Sequence, residues 1–222
     1  MNPRFNNPTG NVFQKNRIET LTDGVFAIAM TLLVTGLNIP QRNGIIISGS
    51  VDSILINLFP DFIHYIIAFV LLAVFWWSSH MRSHYTHSID RTMSFLTITN
   101  LLFVGLIPFS TNLAGDFPLN THATIIFELN LFAIGLLSVL QWTHLLYHSS
   151  CLDPTVDRND LFMNRADAYI FPILSLIAIL LAIAAFPWGI FIYFVAPVYM
   201  VGMWLKATKT HTIRKRKVNK TV

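Results

Sequence analysis

The chain has 222 residues, of which 54% are hydrophobic and 12% charged, and its formal net charge is +4. Soluble domains carry about 25% charged residues, and here the apolar residues form six long blocks, so the composition argues against a soluble globular protein. Six membrane crossings of about 20 residues leave about 100 residues for loops and tails, which excludes a second domain, and the single cysteine excludes an internal disulfide.

Polar and proline-rich segments divide the apolar sequence into six predicted membrane-spanning helices. Their predicted bounds are residues 24–39, 54–79, 93–114, 123–147, 168–186 and 190–205. Only Pro187, Trp188 and Gly189 separate the last two, so these two helices are expected to form a hairpin at the periphery. Residues 1–22 contain no uninterrupted apolar stretch. We therefore expect no cleavable signal peptide, and the first helix is expected to direct membrane insertion.

The positively charged residues are distributed unequally between the two sides of the predicted membrane. Fourteen of the 15 Lys and Arg residues fall before the first helix, in the loops after the second and fourth helices, or after the sixth, and Arg42 is the exception. Cytoplasmic segments of membrane proteins carry the excess of Lys and Arg. The pattern predicts a multi-pass protein of the cell membrane with both termini in the cytoplasm. The N-terminal segment 1–23 and the basic tail 206–222 would lie there, and the tail would contact anionic lipid rather than nucleic acid.

The first predicted helix begins with charged residues and continues with an apolar face that also carries hydroxyl groups. Ile28, Thr31, Leu32 and Thr35 follow one another at helical spacing and share this face. Such a face is typical of close helix packing in membranes. Asp23 needs a partner, because an ionisable side chain in a membrane helix is costly when it faces lipid, although a position near the helix start also favours a negative charge. Periodicity alone leaves these interpretations open.

Four segments in the first half of the chain resemble the transmembrane protein 175 family, the bacterial relatives of a lysosomal potassium channel. The first is Arg17-x3-Leu21-Thr22-Asp23 with its apolar continuation, in which Leu21 and Thr22 stand where the family usually has Phe and Ser. The others follow in the order and spacing of the family: Phe75-Trp76-Trp77-x2-His80, then Asp90, then Asn100 with Pro108-Phe109-Ser110-Thr111. The resemblance is clearest between residues 17 and 113.

The resemblance implies an all-α integral membrane protein with six transmembrane helices per subunit, in which four subunits surround a central pore lined by the first helix. It implies a potassium channel without the carbonyl filter of ordinary potassium channels, and the sequence contains no Thr-Val-Gly-Tyr-Gly run. Carried onto this sequence, it places a hydrophobic constriction at Ile28, further layers at Leu32 and Thr35, and a hydroxyl near the constriction at Thr31. It implies an inner polar network formed by Arg17, Thr22, Asp23, Trp76 and His80.

Eight histidines suggest a different class of function. Their spacing in two groups, His80-x3-His84-x2-His87 and His144-x3-His148, is similar to the histidine boxes of membrane di-iron enzymes, in which imidazoles ligate iron. The third box of such enzymes, with paired histidines, is absent from the sequence. Interfacial side chains that reach headgroups and water account for the same pattern. A metal-dependent membrane enzyme is therefore an alternative that metal content would test.

Glu128, in the outer half of the fourth predicted helix, supports a third interpretation. An intramembrane acid is a candidate functional site, so a proton-coupled transporter is the other alternative, although this side chain could also reach outer water or bond to another helix. The sequence favours a single six-helix domain over residues 1–222 that forms a homotetrameric, potassium-permeable cation channel and not an enzyme. Its expected partners are K⁺ and the lipid bilayer, and no cofactor is implied.

Overall fold

A computed structural model describes residues 15–37, 41–42, 45–46, 51–117, 120–148, 151–153, 165, 168–184 and 202. Within these ranges the main elements are five α-helices: α1 (Lys15–Leu32), α2 (Val51–Tyr85), α3 (Arg91–Asp116), α4 (Thr121–Tyr147) and α5 (Ile170–Ile183). A 3₁₀ turn, Leu33–Gly36, extends α1. Between α1 and α2, two short strands, β1 (Gln41–Arg42) and β2 (Ile45–Ile46), pair antiparallel with Gln41 opposite Ile46. Apart from this pair, the regular structure in the described ranges is helical, as predicted.

Four of these helices are long and apolar enough to cross a membrane. The candidate spans are Lys15–Gly36, Asp61–Tyr85, Arg91–Asp116 and Thr121–Tyr147. The fifth predicted span corresponds to α5, a shorter apolar helix of 14 residues. Of the sixth predicted helix (190–205) the structure describes only residue 202, and the hairpin turn before it and the basic tail lie outside the described residues, so six spans per subunit stay a prediction.

The helices pack around one large apolar core, and two smaller apolar clusters accompany it. α3 lies along α4, α4 along α5, and α1 contacts both α2 and α3. Every helix contributes to the core, with side chains that include Phe26, Leu71, Val104, Ile134 and Phe171. The start of α1, the end of α2, the start of α3 and the end of α4 meet at one end of the bundle. We call this the inner end, because the charge pattern predicts that it faces the cytoplasm.

The first helix begins nine residues earlier than the predicted bound of residue 24. It starts at Lys15, whose ammonium lies 3.5 Å from the Glu19 carboxylate one helical turn later, a spacing that supports a helix. The hydroxyls of Thr20 and Thr22 donate to the carbonyls of Asn16 and Ile18 and so remain inside the helix. The helix therefore includes residues 15–23, whose polar side chains are satisfied within it, and the cytoplasmic location of residues 1–23 stays a prediction.

The second helix continues past the predicted bound of residue 79 and ends at Tyr85. Arg82, assigned to a loop by the sequence, therefore lies within α2, and it is only 4% exposed. Its guanidinium donates to the Ser78 hydroxyl at 3.1 Å and lies 5.8 Å from the centre of the Trp142 ring on α4. The prediction of a loop arginine is wrong because a cation–π contact and a hydrogen bond hold this side chain inside the bundle.

Polar contacts fix the register of α3 against α4. The buried Asn100 amide donates to the carbonyl of Ile134 at 3.1 Å, and the Asn130 amide donates to the Ser110 hydroxyl at 3.1 Å. The fourth segment that carries the family resemblance thus supplies one partner to each of these two hydrogen bonds. Because buried polar groups need specific partners, these bonds favour one alignment of the two helices.

Candidate functional site

One face of α1 is packed and the opposite face is open. The packed face carries Ile18, Thr22, Phe26 and Ala29 and continues to Leu33. On the open face, Ile28 is 60% exposed and Leu32 is 44% exposed, and Thr31 and Thr35 are exposed beside them. All four residues of the predicted pore surface therefore lie on a face of α1 that its own subunit leaves uncovered.

The two threonine hydroxyls on this face bond to the backbone of the two apolar residues. Thr31 donates to the carbonyl of Ile28 at 2.8 Å, and Thr35 donates to the carbonyl of Leu32 at 2.6 Å. Each hydroxyl proton is thereby engaged within α1. A hydroxyl has two acceptor lone pairs besides its proton, so these oxygens present electron density, not protons, beside the apolar side chains.

At the inner end of α1, Asp23 is joined to α2. The Trp76 indole nitrogen donates to a carboxylate oxygen of Asp23 at 2.9 Å. The His80 ring stacks on the Trp76 ring, with centroids 5.7 Å apart and an interplanar angle of 25°. Three of the five residues predicted for the inner polar network thus form one continuous contact.

The other two residues of the predicted network are placed differently. Arg17 is exposed, and the described residues include no ion-pair partner for it. Thr22 is buried, and its hydroxyl donates within α1 to Ile18. A role for Arg17 and Thr22 in the same network stays a prediction, because the contacts within one subunit do not link them to Asp23.

A cavity of about 320 Å³ with both polar and apolar lining residues lies at the inner end between α1, α2, α3 and α4. Asp23 and His80 line it, and so do Arg82 and Gln141, both of which are buried. The Glu19 carboxylate also reaches this cavity and accepts a hydrogen bond from the Ser83 hydroxyl on α2. The sequence placed Glu19 and Arg82 on the cytoplasmic side but did not predict that they and Gln141 line this cavity. The only signal for them was charge or polarity near the ends of apolar blocks.

Glu128 lies inside the bundle, not at its surface. The side chain is 1% exposed, so it does not reach outer water in the subunit; of the two arrangements expected for it, the one that reaches outer water is wrong and a bond to another helix stays a prediction. The reason is that the helical face of α4 that carries Glu128 also carries buried Phe127 and Leu131 and packs into the core. An acid enclosed in this way has a partner inside the protein.

The histidines at the inner end form no paired-box arrangement in the described part of the chain. The His144 and His148 rings stack on each other with centroids 4.2 Å apart, while the His84 ring meets Tyr85 edge to face. The group whose donor atoms have metal-ligand spacing is instead Asp90, His144 and Cys151. The predicted alternative of a di-iron enzyme thus receives no support from the geometry of the described histidines.

Comparisons with known proteins point to one family. Residues 17–108 match the family described as the endosomal/lysosomal potassium channel TMEM175. A potassium channel of Streptomyces collinus is 28% identical to the chain over 148 residues, which are 65% of this chain and 70% of that relative. The endosomal/lysosomal proton channel TMEM175 of Mus musculus is 30% identical over 188 residues, 77% of this chain but 36% of the mouse protein.

A solved structure has the same fold. The crystal structure of a lysosomal potassium-selective channel TMEM175 homolog from Chamaesiphon minutus superposes with a TM-score of 0.72. The match has 24% sequence identity and covers 84% of this chain and 96% of that one. The similarity extends well beyond residues 17–108, so the helices after α3 also follow the architecture of that channel.

Proposed function

The chain carries a TMEM175 family domain over residues 17–108 and several apolar helices of membrane-spanning length; from this premise we propose that it is one subunit of a homotetrameric, potassium-permeable cation channel. The family is one of ion channels, which are not enzymes. In this proposal α1 from each of four subunits lines the pore, and the remaining helices hold α1 in place and face lipid.

The uncovered face of α1 carries this proposal. Although α1 contacts α2 and α3, the subunit buries only one face of this helix and leaves the face that carries Ile28 open. One helix cannot enclose a water path, so copies must meet around an axis, and closed cyclic symmetry is the usual arrangement of identical subunits. Four open faces that meet at the axis would cover the apolar side chains and complete the wall of a pore.

Ile28 would form the constriction of this pore. A ring of four isoleucine side chains excludes water when it is narrow and readmits water when it widens, so it acts as a hydrophobic gate. Leu32 would add a second apolar layer about one turn further along α1. Gating is then a change of radius that needs no movement of a charged group through the membrane.

The hydroxyls of Thr31 and Thr35 would favour a cation beside these apolar rings. Their protons are donated to backbone carbonyls, and their remaining lone pairs can replace part of the hydration shell of a permeating ion. At the inner end, the exposed Asp23 carboxylate is held in place by Trp76. Four such carboxylates near one axis would raise the local concentration of cations.

Flux measurements on the purified protein in liposomes test the proposal. Liposomes loaded with K⁺ should lose their gradient in the presence of the protein, and the same liposomes prepared with Na⁺ should lose theirs more slowly. Empty liposomes are the control. Protein that inserts and assembles but passes no K⁺ would contradict the proposal.

Proton permeation is a second candidate function. A mouse relative is named a proton channel, and Glu128 is an acid buried within the helix bundle, as a proton relay requires. A pH-sensitive dye inside the liposomes, with K⁺ equal on both sides, separates the two functions. If Glu128→Gln abolishes proton entry, this result would favour a proton path through α4. If proton entry is unchanged in that variant, the α1 pore would remain as the route.

A further inference from the structure

Three side chains from separate elements converge at the inner end of the bundle. They are Asp90, just before α3, His144, in the last turn of α4, and Cys151, in the segment after α4. One carboxylate oxygen, one ring nitrogen and the sulfur all lie within 4.8 Å of one another. This group lies outside the α1 face and the Asp23–Trp76–His80 contact, and the proposed function does not use it.

Asp90 is held so that one carboxylate oxygen points toward the group. Oδ1 caps α3 by accepting the backbone N–H of Met93 at 2.7 Å, which leaves Oδ2 at 2.8 Å from His144 Nε2. Burial raises the pKa of Asp90, but the bonds to Met93 and His144 outweigh it, and the pKa lies below its usual value. The capped conformation therefore presents a carboxylate oxygen beside an imidazole nitrogen.

Cys151 is positioned by its backbone. Its carbonyl accepts the N–H of His87 at 2.8 Å, and the following residue forms a β-bridge with Thr86. The Cys151 side chain is 2% exposed and belongs to a cluster with Trp142 and Leu145. The thiol is thus fixed at the edge of an apolar cluster, with the Asp90–His144 pair on its polar side.

This donor set has the chemistry of a zinc site. Zn²⁺ binds cysteine sulfur, histidine nitrogen and carboxylate oxygen at about 2.0–2.3 Å, whereas Ca²⁺ and Mg²⁺ take oxygen ligands. Around one tetrahedral ion, ligand atoms lie about 3.3–3.8 Å apart at those bond lengths, so a group already within 4.8 Å needs only small side-chain movements. A water molecule would supply a fourth ligand.

We propose that Asp90, His144 and Cys151 bind one Zn²⁺ ion, which fastens the segment after α4 to the junction between α2 and α3. Binding requires a thiolate and an imidazole nitrogen that carries no proton, so the thiol proton leaves to solvent as the S–Zn bond forms, the neutral imidazole keeps its one proton on the other ring nitrogen, and bonds to the ion replace the Asp90–His144 hydrogen bond. The ion is structural: the start of α3, the end of α4 and the segment after α4 contribute one ligand each, and the ion joins them.

Zinc binding to the purified full-length protein in detergent tests the proposal. After chelator treatment and removal of the chelator, titration with Zn²⁺ should give one high-affinity ion per chain. Cys151→Ser and His144→Gln should each weaken binding at least about tenfold, since even partners that only orient ligands affect affinity by this factor. Asp90→Asn keeps an oxygen that caps α3 but removes the charge, so it should weaken Zn²⁺ binding while α3 stays capped.

Two exposed histidines provide matched controls. His84→Gln, at the same end of the bundle, and His122→Gln, at the start of α4, lie outside the group and should leave the affinity unchanged. If the His84 variant loses the ion while the Cys151 variant keeps it, or if the wild-type protein binds no Zn²⁺, the proposal is wrong.

Cobalt substitution reports on the sulfur without any variant. Co²⁺ in the same site should show a thiolate-to-cobalt charge-transfer band in the near ultraviolet, and this band identifies Cys151 because the chain has one cysteine. Zn²⁺ should also raise the Tm of the wild-type protein, as any ligand specific for the folded state does, but not that of Cys151→Ser. A Co²⁺ complex without the band would overturn the assignment even if the variants fail to fold.

Discussion

The Trp76 indole nitrogen holds the Asp23 carboxylate at 2.9 Å across 53 residues of sequence. Asp23 is the only acidic residue on the apolar part of α1, and this bond joins it to α2. The other side of the carboxylate stays exposed. Ile28 lies further along the same helix. Its side chain is also exposed, but it is apolar where Asp23 is charged. Two single residues therefore allow direct tests of the polar and the apolar part of the proposed pore.

Replacing Trp76 with Phe should loosen the inner end of α1. The ring survives for stacking on His80, but the N–H donor is lost, and a hydrogen bond of this kind contributes about 1 kcal/mol to stability. The apparent Tm in detergent should fall, and K⁺ flux should change with it. Trp77→Phe removes a neighbouring indole that does not bond to Asp23 and should leave the Tm unchanged. Equal Tm values for the two variants would show that the Asp23 bond is unimportant.

Replacing Ile28 with Asn should raise K⁺ flux several-fold or reduce the preference for K⁺ over Na⁺. The amide keeps water in a constriction from which four isoleucines expel it. Ile28→Leu conserves volume and polarity and should behave like the wild-type protein. Bilayer recordings provide the measurement, and currents that are the same in all three proteins would remove Ile28 from the constriction.

At the scale of the elements, small residues set how closely the helices approach. A side chain on Gly135 in α4 would place its Cβ 2.7 Å from Cδ and 2.9 Å from the backbone nitrogen of Pro172 in α5. The two helices therefore cross at a position that only glycine fits, in keeping with the small residues common at membrane helix contacts. Gly105 in α3 has open space around it and provides a comparison.

Gly135→Ala should destabilise the bundle by forcing α5 away from α4. The atoms that it meets belong to a proline ring and a backbone, which cannot rotate aside, and overpacking of this kind costs about 1–3 kcal/mol. Gly105→Ala should be neutral or slightly stabilising, because alanine is the better helix former. Thermal unfolding in one detergent compares the two variants, and a Gly135→Ala protein as stable as the wild type would show that the α4–α5 contact adjusts freely.

At the scale of the whole molecule, the proposal requires several chains. The open α1 face gives one subunit an apolar surface with hydroxyls and an inner cavity but no enclosed path in the described residues. Four copies around an axis is the arrangement that the family resemblance implies and that the proposal adopts.

The protein in detergent should therefore have the mass of four chains of 25.2 kDa. Light scattering combined with refractive-index detection separates the protein mass from that of the detergent. Ile28→Leu should leave the mass unchanged because it preserves the contact surface. A conducting protein with the mass of one chain would contradict a shared pore.

The sequence by itself determined the long helices and which residues share one face of α1, whereas the tertiary structure decided that this face is open. The apolar blocks predicted α3 and α4 to within two residues at each end, because burial in apolar surroundings requires continuous apolar sequence. The spacing of Ile28, Thr31, Leu32 and Thr35 predicted one shared face, because helical geometry is local. The predicted bounds of α1 and α2 were less accurate, because polar residues can continue a helix when neighbouring elements supply their hydrogen-bond partners.

Only the tertiary structure decided which polar residues meet. Nothing in the chain between Asp23 and Trp76 predicts their hydrogen bond without the family resemblance, and nothing local shows that Arg82 and Glu128 are buried or that Asp90, His144 and Cys151 converge. The physical reason is that these contacts join positions tens of residues apart. Their distances depend on how whole helices pack, whereas hydrophobic periodicity specifies only which side of each helix turns inward.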